Sequence, residues 1–156
     1  MQSHRPSVGF YDQWRSLVWR FATGNSEGRN RKKAQMHPIP NGHSIWELLC
    51  HVESWVRFAL GAVDGAPIPP WPAMPVELDW PLVTDTSESA WKQAVDSFFL
   101  RHLKLVERIK AFTDERLEAT VPGRTYNFYR LFQSTTQHAV YHAGQIALLK
   151  KTPLND

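Results

Sequence analysis

Cysteine is nearly absent from the chain: one residue, Cys50, in 156. A single thiol excludes an intrachain disulfide and a Cys-rich zinc module. Long apolar runs are absent too. No stretch approaches the ~20 residues needed to cross a bilayer, so no membrane association is expected. The first residues, Met1 to Ser16, lack the apolar centre of a secretory leader, and a cytoplasmic location is the expectation. Nor is there a strong charge of one sign. Lys and Arg number 18 against 15 Asp and Glu, a net charge of +3. The one dense basic cluster is Arg29, Arg31, Lys32 and Lys33, set among Gly, Asn, Ser and Gln residues that read as a loop. No aromatic residue interleaves with it to offer a base-stacking platform, so it reads as a solvated loop and no nucleic-acid partner is expected.

What the chain has is aromatic mass and histidine. Aromatics make up 12%, with seven Trp, against an ordinary 42% hydrophobic and 21% charged residues. This composition is that of a packed chain rather than a disordered one, and the length suits a single domain over residues 1–156. Seven His against one Cys means that any bound metal must be held by nitrogen and oxygen.

Apolar periodicity predicts four helices. The first spans about Ser7 to Thr23, with Phe10, Trp14, Leu17, Val18 and Phe21 on its stripe. A loop follows from about Ser26 to His43. The second helix begins at Ser44, where Ser44-Ile45-Trp46-Glu47 fits a capping box, and carries Ile45, Leu48, Leu49, Val52, Val56 and Ala59 inward until Gly61 and Gly65 end it. From Ala66 to about Asp85 six prolines forbid a helix interior, and a connection this long is either a pocket wall or a strap over the bundle. The third helix runs from about Ser87 to Phe112, with Trp91, Val95, Phe98, Phe99, Leu103, Val106 and Ile109 at helical spacing. A turn region from Thr113 to Thr125 contains Pro122-Gly123, and the fourth helix runs from about Asn127 to Lys150. The expected fold is all-α: a four-helix bundle with a long proline-rich connection between helices 2 and 3.

The fourth helix carries the chemistry. His138 and His142 are four residues apart, about 40° of rotation and ~6 Å of rise, so both rings share one face with Leu131, Gln145 and Leu149. Two imidazoles so placed can reach one metal, but they hold it weakly without a third ligand. His51 lies on the flank of the second helix's stripe and is the best candidate for that ligand. Three His with an open fourth position would suit zinc, and nickel or iron could take the same set. Structural, hydrogen-bonded histidines remain the alternative on spacing alone. The pair lacks the Glu of His-Glu-x-x-His, which excludes the zinc-protease mechanism.

Two blocks resemble a known family. Ser44 to Val52 is similar to the second-helix pattern of the DinB/YfiT-like superfamily of four-helix-bundle metalloenzymes, where a polar cap and an aromatic precede an apolar run ending in a ligand His. His138 to Lys150 resembles that family's last-helix pattern of two His four apart, then Gly-Gln and an apolar tail. The resemblance covers about residues 7–151. It implies His51, His138 and His142 as ligands of a divalent metal, zinc or nickel in most members, and a homodimer. It also implies chemistry on a small-molecule substrate: a transferase or isomerase using a low-molecular-weight thiol. A hydrolase using metal-bound water, or a non-catalytic metal-binding dimerisation module, are the alternatives. The resemblance implies that Gly144 lets a neighbouring helix approach closely, although a plain packing glycine is the preferred reading, and Gln145 either supports the site or makes a plain bundle hydrogen bond. Arg57 and the Arg29–Lys33 cluster are candidates for the carboxylates of such a thiol. His4, His37, His43 and His102 match nothing in the pattern and read as surface or loop residues, and Cys50, rotated ~100° from His51, reads as a packing residue.

Overall fold

The structure is a computed structural model that describes residues 27–70 and 73–153. The predicted first helix, about Ser7 to Thr23, lies outside the described residues. The six described helices are α1 (Glu27–Ala34), α2 (Ile45–Val63), α3 (Val76–Asp79), α4 (Glu88–Lys110), α5 (Asp114–Glu118) and α6 (Phe128–Leu149). No strand occurs among the described residues, only an isolated bridge between Thr120 and Asn127. None of the described helices is long and apolar enough to cross a membrane.

The helix starts follow from side-chain chemistry. Ser44 accepts from the Glu47 N–H while the Glu47 carboxylate accepts from the Ser44 N–H, which completes the capping box on α2. Ser87 and Asn127 cap α4 and α6 in the same way, each accepting from a backbone N–H three residues on. Ser44 is buried, so its cap is shielded from water. Ser44→Ala is expected to lower stability by about 1 kcal/mol in urea denaturation, with no change in helix content by circular dichroism.

α2 is the central helix and packs against both α4 and α6. Its apolar residues divide between two clusters. Ile45 to Val52 pack with Trp91, Val95 and Phe98 of α4 and with Ala139, Ile146 and Leu149 of α6. Val56 to Val63 pack with Leu105 of α4, Val121, and Phe128, Leu131 and Phe132 of α6. Near the boundary of the two clusters polar groups enter the interior: His51 and the fully buried Ser54 on α2, and His138 and His142 on α6.

Three local expectations are corrected. The basic segment is a helix, α1, because Ala34 is fully buried beside α2 and α4 and Arg31 is anchored. Arg31 Nε donates to the Glu88 carboxylate at 3.0 Å and its Nη1 to the Thr86 carbonyl at 2.7 Å. The buried stripe of α4 runs through Trp91, Val95, Phe98 and Leu105, with Leu103 exposed at 48%. At this spacing position 102 falls on the inner face. Finally, the proline-rich connection is not wholly irregular: Pro75 opens the short α3, and Met74 and Asp79 turn inward. The Pro122-Gly123 expectation holds. Gly123 sits at φ +74 in a turn closed by the Arg124 N–H on the Val121 carbonyl, where a Cβ would stand 3.1 Å from that of Pro67.

Candidate metal centre

His51, His138 and His142 meet. His138 Nε2 is 2.9 Å from His51 Nε2 and 3.1 Å from His142 Nε2. No other group of three or more His, Cys, Asp or Glu side chains among the described residues could converge on one ion. α2 delivers His51 from the edge of its apolar stripe. α6 delivers the other two from a shared face, as the four-residue spacing requires.

The protons of two of these rings are committed elsewhere. His51 Nδ1 donates to the Asp79 carbonyl at 2.7 Å, and His142 Nδ1 donates to Gln145 Oε1 at 2.6 Å. In the neutral rings this leaves both Nε2 atoms as lone pairs directed at His138 Nε2. One proton on His138 can be shared between them only poorly, whereas a single cation satisfies all three. The spacing agrees: two nitrogens each ~2.0–2.1 Å from a tetrahedral zinc stand about 3.3 Å apart. The side chains present therefore fit a divalent ion.

The electrostatics keep the rings neutral. Burial pushes the His138 pKa down to about 3, with the neighbouring His142 and His51 adding to the shift. Burial also lowers His51, against the opposing pull of the Asp79 carbonyl and carboxylate. It lowers His142 against the hydrogen bond to Gln145. Neutral imidazole is the form that binds a metal, so no proton has to be expelled near pH 7.

Aromatic rings enclose the cluster. Trp80 stacks on His51 at 3.8 Å between ring centroids and is stacked on its other side by His43 at 3.6 Å. Trp55 lies 5.7 Å from His138, and Tyr141 lies 5.0 Å from His142. Gln145 thus supports the site rather than making a plain bundle bond, and its amide also reaches the Tyr141 hydroxyl.

Asp79 and Trp80 are the residues that sequence reasoning missed. Their only signal is a carboxylate beside a Trp inside an apolar, proline-rich stretch. The remaining expectations divide. Gly144 is exposed, and a Cβ there would meet nothing within 4 Å, so among the described residues it marks no close helix approach. His102 is not a surface residue: its ring packs on Phe98 at 4.1 Å, and burial pushes its pKa down to about 4. His37 and His43 are exposed beside the Glu47 carboxylate, with His37 Nε2 donating to it at 2.9 Å. Arg31 is spent on Glu88 and Thr86. Arg57 is exposed and, among the described residues, donates to Ser54 Oγ at 3.4 Å. Cys50 behaves as expected: burial, then Glu53 and Glu47, push its pKa up to about 12, so it is an inert thiol.

Comparison with curated proteins and with solved structures gives no match. A family model, by contrast, matches residues 13–146, a span that holds all three histidines, and by it the chain belongs to the DinB superfamily.

Proposed function

We propose that the protein is a metal-dependent enzyme in which His51, His138 and His142 hold a divalent ion, zinc or nickel, and which transfers or isomerises groups by way of a low-molecular-weight thiol. The observation that carries this reading is the convergence of three Nε2 atoms from two helices, two of them with Nδ1 protons already committed. A divalent ion held by these three rings would supply a Lewis acid able to bind a thiol and lower its pKa.

The chain's own residues supply the rest. His51 and His142 are oriented by Asp79 and Gln145. Trp80 and Trp55 wall the cluster with apolar surface, which limits water beside a bound sulfur. The sulfur must come from outside, because the one cysteine is half-buried and holds its proton far above neutral pH. A hydrolytic reading needs a carboxylate base facing the shared nitrogens. Asp79, the buried carboxylate at the cluster, instead approaches His51 at Nδ1, on the opposite edge of the ring.

Two measurements test the proposal. Elemental analysis of the purified protein is expected to give one zinc or nickel per chain. Chelation is expected to lower the Tm, because the ion binds only the folded arrangement. Cobalt-substituted protein titrated with a small thiol is expected to gain a near-ultraviolet sulfur-to-cobalt charge-transfer band. Stoichiometric metal without that band would remove the thiol and leave a metal-binding bundle.

A further inference from the structure

Asp79 is a buried carboxylate on a connection that has no periodic reason to bury it, and it is only 7% exposed. A carboxylate taken out of water is costly unless it is hydrogen-bonded. α2 supplies its partners from two residues one turn apart. Trp55 Nε1 donates to Asp79 Oδ1 at 2.7 Å, and His51 Nδ1 lies 3.3 Å from the same oxygen while donating to the Asp79 carbonyl at 2.7 Å. The short α3 sets this geometry. The Asp79 and Trp80 N–H groups donate back to the Pro75 and Val76 carbonyls, so the chain turns at this point and lays the Trp80 ring on His51.

We propose that Asp79 is the positioning residue of the metal centre: the proline-rich strap clamps His51 through Asp79, with Trp55 holding the carboxylate and Trp80 pressing the ring face, so that His51 Nε2 stays aimed at the shared point. The inference rests on the metal reading above. It gives the strap a specific task. A His ligand whose other nitrogen donates to a carboxylate or carbonyl is fixed in tautomer and orientation and becomes a stronger donor. The Asp79 charge also offsets part of the net positive charge that three neutral ligands leave on a divalent ion. The carboxylate does this through His51, because it lies on the Nδ1 edge and not beside the shared nitrogens.

The test is zinc affinity by chelator competition on the full chain, together with the ring nitrogen spectrum of His51 in metal-free protein. Asp79→Ala is expected to weaken zinc binding roughly 10- to 100-fold. In the metal-free variant the main-chain carbonyl still accepts from His51 Nδ1, so the Nδ1–H tautomer is expected to be kept while the His51 ring nitrogen signals shift with loss of the adjacent carboxylate. Asp79→Asn keeps an oxygen for the Trp55 N–H and is expected to recover part of the affinity, which a merely structural lesion would not do. If Asp79→Ala fails to fold, Trp55→Phe decides. It frees the carboxylate without touching His51 and is expected to cost about fivefold in affinity, the worth of one hydrogen bond. Affinity within twofold of wild type and an unchanged His51 spectrum, in whichever of the two variants folds, would overturn the clamp while leaving the metal centre standing. A wild-type chain that binds no zinc or nickel would overturn the metal reading and the clamp with it.

Discussion

Replacing His138 with Ala is expected to abolish stoichiometric metal binding while leaving the helices intact. His138 is the middle member of the cluster, with its Nε2 within 2.9 Å of one partner nitrogen and 3.1 Å of the other. Without it, His51 and His142 remain as a two-ligand site. The expected loss is at least ~100-fold in affinity, since removing only a supporting partner of a ligand already costs up to about that much. The fold should persist, because α2 and α6 are held by the apolar clusters on either side of the cluster. The metal-free variant should also be no less stable than the metal-free wild type, as a buried imidazole with no hydrogen-bond partner on Nδ1 among the described residues is removed. Dialysis followed by elemental analysis checks the first statement, and urea denaturation in the presence of chelator checks the second. One full equivalent of zinc retained by His138→Ala would show that the ligand set is wrong.

The three histidines were legible in the sequence because helical geometry is periodic. A four-residue spacing fixes a common face on α6 whatever the rest of the chain does. The capping box at Ser44 fixes the phase of α2, and with it the inward side of His51. The connection between α2 and α4 was not legible in this way. Prolines specify where a helix cannot form, but no period tells which of Met74, Leu78, Asp79 or Trp80 turns inward. Met74 and Asp79 are buried while Leu78 is exposed, and that outcome is set by tertiary contacts with His51 and Trp55. α1 escaped for a related reason. Its residues are mostly charged, and its helix is held by one buried Ala34 and by Arg31 bonded to residues more than fifty positions away. Such a segment carries no apolar stripe for a local reading to find.

His102 shows the opposite error, a periodic signal present but passed over. Taken with Trp91, Val95, Phe98 and Leu105, position 102 continues the buried stripe of α4, and the polar side chain obscured this. Its burial makes stability depend on pH. In the unfolded chain His102 titrates near 6.5, whereas in the fold burial lowers it to about 4, partly opposed by its hydrogen bond to the Phe98 carbonyl at 2.7 Å. The folded state therefore binds this proton less tightly than the unfolded chain does. The stability His102 permits is complete above pH 6.5 and is lost progressively as pH falls toward 4. The difference between the two pKa values corresponds to about 3 kcal/mol, or roughly 6–12 °C in Tm for a chain of this length. His102→Leu removes the titrating group, and its stability is expected to fall by about 3 kcal/mol less than that of wild type between pH 7 and pH 4. Both proteins are to be measured with chelator present, so that the three clustered histidines contribute equally to each curve and cancel in the difference. Parallel curves would mean that the His102 ring reaches water in the folded state. A variant whose curve is flatter by the expected amount would identify His102, rather than the three clustered histidines, as a separate source of acid sensitivity in α4.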